Sequence, residues 1–209
     1  HSIFNFFTIF DRTFSHKNMS PRSKQQFEQI RHHRKVAIEE TAMQIFAENG
    51  FSRVSISTIA RKAGISKGLL YNYYTNKEAL VKEIVLEGIR QMLEGVDFDF
   101  HQELTPVRFK ELIEKNFVLL KEHRSYWSLY IAIITQPAVI ALVKDEIFQL
   151  IGPFVSALSD YYGKKGIKNP EAHSLLLGAV LDGVAINYML SPADYPIDDI
   201  KTIIIERFI

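Results

Sequence analysis

Apolar residues along the chain recur at helical spacing, and almost no stretch alternates in the manner of a β-strand. Residues 27–48 give the clearest example of a single apolar face. The positions on that face are Ile38, Ala42, Ile45 and Phe46. The pair Asn49-Gly50 predicts the end of this helix, because glycine suits the left-handed conformation that follows a helix. The pattern predicts an all-α protein.

Two shorter helices are predicted directly after this one. Ser55 is a suitable cap for the second helix, Gly64 ends it, and Ser66 is a suitable cap for the third. The second and third helices are joined by a turn of about three residues that contains glycine. Three helices between residues 27 and 74 with such a turn indicate a helix-turn-helix, whose last helix enters the major groove of DNA.

The remainder of the chain is also helical in pattern. The predicted helices are one from Lys77 and further ones at 107–122, 125–135, 138–162, 170–190 and 197–208. Asn169, Pro170 and Glu171 form a strong start signal: a capping residue, a proline at the first helical position and an acid. Pro153 is expected to kink or split the helix that contains it, since proline lacks an amide donor.

The first eighteen residues contain five of the fifteen phenylalanines. Met19 resembles a natural chain start, so residues 1–18 are interpreted as an extension outside the folded protein; the alternative is an arm that docks on the body. Residues 20–26 are a candidate basic arm for a neighbouring DNA groove, and an ordinary frayed terminus is the alternative.

Composition and charge narrow the classes of function. Cysteine is absent, which excludes disulfides and thiolate chemistry, and no apolar run reaches the ~18 residues of a membrane span. Residues 19–90 contain twelve Lys and Arg against seven Asp and Glu, a net +5, whereas residues 91–209 contain eleven against sixteen, a net −5. A basic first part followed by an acidic remainder indicates that the first part is a module that binds a polyanion.

The segment after Gly64 carries the side chains for such contact. Lys67 adds positive charge to a helix start, and Gly68 lets the backbone approach a duplex closely. Tyrosine hydroxyls such as that of Tyr71 can donate to phosphates, and the amide of Asn72 can read a base edge.

The segment "TIARKAGISKGLLYNYYTNKEAL" resembles the DNA-binding signature of the TetR family of transcriptional repressors. The matching groups are Ile59-Ala60, Ala63-Gly64-Ile65, Ser66-Lys67-Gly68, Tyr71-Asn72-Tyr73-Tyr74 and Lys77-Glu78-Ala79-Leu80. The resemblance covers residues 28–95. It implies a DNA-binding set of Ser55, Ser66, Lys67, Gly68, Leu69, Tyr71, Asn72, Tyr73 and Lys77, with Tyr71 and Lys77 on phosphates. It places Tyr74 in the core.

The resemblance also implies that residues 96–209 form a larger helical domain that dimerises and binds a small effector, with residues 19–76 as the DNA-binding domain and 77–95 as a connecting helix. Residues 174–190 are apolar around nearly the whole helix, and the last helix has an apolar stripe. The expected dimer interface consists of Leu176, Ala179, Val180, Gly183, Asn187, Ile200 and Ile204. A central helix of a monomer is the alternative.

Aromatic residues are candidates for the walls of an effector pocket. They are Phe117, Tyr126, Trp127, Tyr130, Phe148 and Tyr188. Gln136 is polar and either orients a ligand or is simply exposed. Few charges interrupt these stretches, so the expected effector is uncharged or amphipathic and largely apolar.

No motif for catalysis, metal binding or a cofactor is present, and no nucleophile–base pair can be argued from the sequence. The resemblance implies a cytoplasmic, homodimeric, sequence-specific regulator, a repressor released from palindromic double-stranded DNA by a small ligand. Two alternatives are a constitutive DNA-binding regulator without an effector, and a ligand-binding or interaction protein that no longer binds DNA.

Overall fold

The computed structural model describes residues 24–97, 99 and 102–209, and every regular element in this part of the chain is helical. The helices are α1 Lys24–Asn49, α2 Ile56–Lys62, α3 Lys67–Tyr71, α4 Lys77–Gly95, α5 Pro106–Glu122, α6 Arg124–Ile134, α7 Pro137–Lys164, α8 Pro170–Leu190 and α9 Ile197–Phe208, with a 3-10 turn at Phe51–Arg53. The predicted all-α fold class is confirmed. The proposed extension 1–18 and most of the candidate arm 20–26 lie outside the described residues.

One compact unit contains the residues up to Val85 together with Ala132–Leu142. Within it, α1 packs on α2 and on the 3-10 turn, and α2 packs on α3. The predicted apolar face of α1 is confirmed as core. Its members Ile38, Ala42, Ile45 and Phe46 are all buried.

The turns of this unit follow from two glycines. Gly50 has φ of 78° and Gly64 has φ of 66°, a backbone region that favours glycine. The Gly50 amide donates to the carbonyl of Phe46 at 3.0 Å, which closes the end of α1. The sequence-based ends of the first two helices are therefore confirmed.

The second compact unit contains Leu86–Ile131 and Val143–Ile209. In this unit α9 packs on both α5 and α8. Two glycines permit close approach between its helices. A Cβ atom on Gly88 would lie 2.3 Å from the ring of Tyr130, and one on Gly95 would lie 2.6 Å from Leu119.

The structure bears on two local predictions in the second unit. Asn169 precedes α8 as expected, but its φ of 56° is left-handed and its side chain makes no capping hydrogen bond, so the predicted cap is wrong. A capping side chain needs extended backbone to reach the first helical amides. Pro153 lies inside α7 and does not split it, while the alternative of a kink stays a prediction. Pro153 is exposed, so water can satisfy the carbonyl that loses its partner.

Helix α8 has the length and apolar composition that would let it cross a membrane. Helices α6 and α7, which meet at a bend of 101°, would also pass if the pair formed one span. Apolar helices of globular proteins share this property, and only 17% of the apolar window of α8 is buried within the single chain. Most residues of this apolar window are therefore left unburied by the chain itself.

Candidate functional site

Two serine caps set the start of the short helices α2 and α3. The hydroxyl oxygen of Ser55 accepts a hydrogen bond from the amide of Thr58 at 3.1 Å, and that of Ser66 accepts from the amide of Leu69 at 3.1 Å. Both predicted caps are confirmed. The Thr58 hydroxyl also lies 2.9 Å from the Ser55 hydroxyl, which ties the first turn of α2 further.

Helix α3 has one buried and one exposed side. Leu70 and Tyr74 are buried and anchor the segment to the unit. The residues predicted to contact DNA lie mainly on the other side: Ser66, Lys67, Gly68, Tyr71 and Asn72 are exposed, and Leu69 and Tyr73 are half-buried. The Lys67 ammonium lies 5.7 Å from the ring centroid of Tyr71. The structure thus brings a cation, a phenol and an amide together on one accessible face.

A groove of about 320 Å³ lies beside this face. It is lined by Glu28, Arg31, His32 and Lys35 of α1 and by Tyr73. The guanidinium carbon of Arg31 lies 5.9 Å from the centroid of the Tyr73 ring. The sequence analysis did not identify Arg31 or His32, although the basic run "RHHRK" was the available signal.

Lys77 was predicted to hold a phosphate, and its ammonium already has partners in the chain. It donates to the carbonyl of Phe51 at 2.9 Å and to that of Ser52 at 3.2 Å. It also lies 4.5 Å from the centroid of the Phe51 ring. Lys77 therefore holds the 3-10 turn, and its contact with phosphate stays a prediction that would use its third N–H.

A buried polar network lies behind α3. The hydroxyl of Tyr74 donates to the carboxylate of Glu39, which is only 4% exposed. The ammonium of Lys35 lies 3.5 Å from Glu39 and 2.8 Å from Glu83. Burial raises the pKa of Glu39, and the hydrogen bond from Tyr74 opposes that rise. The network ties α1 to the segment that follows α3 and to α4.

Replacing Glu39 by glutamine is expected to maintain or increase stability at neutral pH. The folded chain binds a proton at Glu39 in the range between about pH 4.5, the ordinary value for this carboxyl, and its raised folded pKa. Stability therefore falls as the pH rises through this range and stays lower above it. Glutamine still accepts from Tyr74, and Lys35 keeps Glu83, so we expect a gain of about 1 kcal/mol near pH 7.5.

Urea unfolding at several pH values tests this expectation, with the gain shrinking as the pH is lowered. The exposed Glu48→Gln on the same helix serves as the control and should change stability by less than about 0.5 kcal/mol. A variant at Glu39 that is less stable than the wild type at pH 7.5 would contradict the argument.

The predicted pocket residues of the second unit divide into two groups. Five of them are buried: Phe117, Tyr126, Trp127, Tyr130 and Tyr188. The ring centroids of Tyr126 and Trp127 are 5.0 Å apart, and those of Trp127 and Tyr130 are 5.5 Å apart. The sixth, Phe148, is 65% exposed and lines an open groove on α7. Phe148 is therefore not part of the buried aromatic cluster.

The predicted dimer residues lie mostly on the surface. Leu176, Ala179 and Asn187 are exposed, and Val180, Gly183 and Ile200 are half-buried. Ile204 differs from the expectation because it is only 3% exposed and packs inside its own chain. Four exposed apolar residues on the same two helices were not predicted: Leu175, Ile186, Leu190 and Ile203.

Metal chemistry finds no support in the described part of the chain. Among residues 24–97, 99 and 102–209, no group of three or more His, Asp or Glu side chains is arranged to hold a metal ion.

Comparison with known proteins connects the exposed face of α3 to a family. Residues 38–84, which contain α2, α3 and the turn between them, match the family described as bacterial regulatory proteins, tetR family. This stretch of the chain is therefore similar to that family. The predicted resemblance is therefore confirmed for this part of the chain.

The curated relatives that the chain matches are named as regulators. It is 31% identical over 100 residues to the fatty acid metabolism regulator protein of Bacillus subtilis (strain 168), a match that covers 47% of this chain and 49% of the relative. It is 27% identical over 150 residues to the HTH-type transcriptional regulator UidR of Escherichia coli (strain K12), covering 69% and 74%. The chain thus spans about half the length of the first relative and about three quarters of the second.

Solved structures share the fold of this chain. The transcriptional regulator FadR from Bacillus subtilis, solved in complex with stearoyl-CoA, superposes with a TM-score of 0.66 at 19% identity. The match covers 81% of this chain and 95% of FadR. At this level of identity the likeness shows a common fold.

Proposed function

We propose that this protein is a DNA-binding transcriptional regulator that acts as a homodimer on palindromic double-stranded DNA. The observation that carries the proposal is the exposed face of α3, which presents Lys67, Tyr71 and Asn72 within a stretch that is similar to the tetR family. A helix in this position of a helix-turn-helix reads base edges, while the charged and hydroxyl groups beside it hold phosphates. Binding to chromosomal DNA goes with a cytoplasmic location.

A second copy of the chain is the proposed cover for the apolar surface of α8 and α9. Leu176 is 52% exposed and Leu190 is 78% exposed on α8, and Ile203 is 54% exposed on α9. A two-fold axis through these helices would bury the same surface on both chains. It would also supply two copies of α3 for the two halves of a palindrome.

The DNA-binding proposal is tested by selection from a library of duplexes with a randomised centre. The wild-type protein should enrich a palindromic sequence. Lys67→Ala and Tyr71→Phe should weaken binding to enriched and unrelated duplexes alike, because we expect both side chains to contact phosphates. Lys67→Ala should also lower the slope of log affinity against log salt by about one. Asn72→Ala should instead change the enriched sequence.

Lys144→Ala removes an exposed cation from α7 in the second unit and is the matched control. It should leave affinity and salt slope unchanged. No enrichment over the starting library would reject DNA reading and favour a protein that binds only small molecules. Enrichment with equal loss of affinity for Lys144→Ala would reject α3 as the contact.

We further propose that the regulator is a repressor released by an amphipathic, largely apolar effector, with a long-chain acyl-CoA as the first candidate. The similarity to a fatty acid metabolism regulator of Bacillus subtilis, and to the structure of FadR from the same organism with stearoyl-CoA, supports this class. The second unit also contains two buried polar atoms without a hydrogen-bond partner among the described residues, the amide oxygen of Gln91 and the hydroxyl of Tyr162. Such atoms are available to the polar groups of a ligand.

Adding stearoyl-CoA to the complex with the enriched duplex should release the DNA and raise the unfolding temperature of the free protein. Coenzyme A alone and stearate alone separate the contributions of the two halves of the ligand. A complex that persists at saturating stearoyl-CoA, without any shift in unfolding temperature, would reject this effector class and favour the constitutive alternative.

A further inference from the structure

The residues Ala132–Leu142, here called the elbow, belong to the same compact unit as the helix-turn-helix. The elbow comprises the end of α6, the beginning of α7 and the two residues between them, Thr135 and Gln136. In the sequence-based division these residues fell within the effector domain. Their place in the DNA-binding unit raises the question of what they do there.

Gln136 makes three hydrogen bonds with its side-chain amide. Its Oε1 accepts from the backbone amide of Phe51 at 2.7 Å. Its Nε2 donates to the carbonyl of Phe46 at 3.0 Å and to that of Ala132 at 2.9 Å. Both N–H groups and the acceptor of Gln136 are thus used within the chain. These contacts account for Gln136 without a ligand, which was one of the roles expected from the sequence.

Two of these bonds reach the connection between α1 and α2. Phe46 provides one of the last carbonyls of α1, and Phe51 provides the first amide of the 3-10 turn. Such groups at a helix end have no partner inside the helix and need one from elsewhere. The Phe46 carbonyl also accepts from the Gly50 amide, so Gln136 adds a second bond there. On the other side of Gly50, Gln136 accepts the hydrogen bond of the Phe51 amide.

A lysine at the start of α4 also holds the 3-10 turn, through two of its carbonyls. Lys77 donates to Phe51 and Ser52, and the Phe51 ring is buried against Phe46 at a centroid distance of 5.3 Å. Ser55, the cap of α2, follows directly after the turn. The conformation of the turn therefore decides where α2 begins and how the helix-turn-helix leaves α1.

We propose that Gln136 is a positioning residue for DNA reading, which fixes the helix-turn-helix through the turn at Phe51. This inference rests on the proposed DNA-binding function. It assigns part of the DNA affinity to a residue of the elbow, outside the three-helix motif. The hydrogen bonds from Gln136 hold the backbone of the turn in place. Because α2 and α3 come directly after the turn in the chain, their positions depend on it.

The experiment compares three variants of the full chain. Gln136→Ala removes the hydrogen bonds to the turn. Gln149→Ala removes an exposed glutamine from α7, and Val139→Ala removes buried apolar atoms from the same elbow but keeps Gln136. Three quantities are measured: hydrogen exchange of the Phe51 amide, the unfolding temperature, and the dissociation constant for the duplex enriched by the wild type.

Gln136→Ala should speed exchange at Phe51 by about tenfold and raise the dissociation constant by about tenfold, the equivalent of one net hydrogen bond. Gln149→Ala should change neither quantity. Val139→Ala should lower the unfolding temperature and leave the dissociation constant within about twofold of the wild type at a temperature where the chain is folded. This pattern separates positioning from general stability.

Equal affinity of wild type and Gln136→Ala for the enriched duplex would overturn this inference and leave the proposed DNA-binding function intact. So would a loss of affinity in Val139→Ala as large as that in Gln136→Ala, because stability would then account for both. A wild-type protein that enriches no duplex would overturn the proposed function, and this inference with it.

Discussion

Replacing Leu176 by aspartate is expected to convert the protein to a monomer and to lower its affinity for the enriched duplex by at least about 100-fold. Leu176 is 52% exposed in the single chain, on a helix of whose apolar window only 17% is buried. In a two-fold dimer each substitution appears twice, so two carboxylates would be buried without partners. Each monomer would then bind only one half of the palindrome.

Light scattering gives the mass of the variant, and fluorescence anisotropy gives its affinity for DNA. Val107→Asp is the matched control, because Val107 is 67% exposed on the first turn of α5, where an acid is tolerated near the helix dipole. It should remain dimeric and bind normally. A Leu176 variant that stays dimeric would show that another surface joins the chains.

Replacing Gly88 by alanine is expected to lower the free energy of unfolding by about 3 kcal/mol. The added Cβ would lie 2.3 Å and 2.8 Å from two ring carbons of Tyr130 and 3.1 Å from the hydroxyl of Tyr126. The Tyr130 ring is 7% exposed and packs against Tyr126 and Trp127, so it has little room to move. The backbone of α4 must shift or the aromatic cluster must open.

Urea unfolding of wild type and variant at equal protein concentration measures this loss. Gly163→Ala is the control, because Gly163 is an exposed residue of α7 and a Cβ there meets no atom within 4 Å. Alanine is the better helix former, so the control should gain up to about 1 kcal/mol. If both variants gained stability, the close packing of α4 against the Tyr130 ring would be refuted.

The sequence by itself determined the helices and their ends with little error. Ser55 and Ser66 cap α2 and α3, and Gly50 and Gly64 take positive φ, because these features depend on a few consecutive residues. The resemblance to the family signature predicted that Tyr74 is in the core, and its burial confirms this. Asn169 shows the limit of such signals, since its backbone conformation removed the cap that its residue type favoured.

Only the tertiary structure decided which distant residues meet. Gln136 and Phe51 are 85 positions apart and Lys77 and Phe51 are 26 apart, and no local pattern connects them. On α9, spacing could not determine that Ile204 would be buried and Ile203 exposed. A hydrogen bond or a packing contact depends on where separate helices are placed, which is a property of the whole core. Capping and periodicity depend on neighbours along the chain, and for that reason they could be predicted from the sequence.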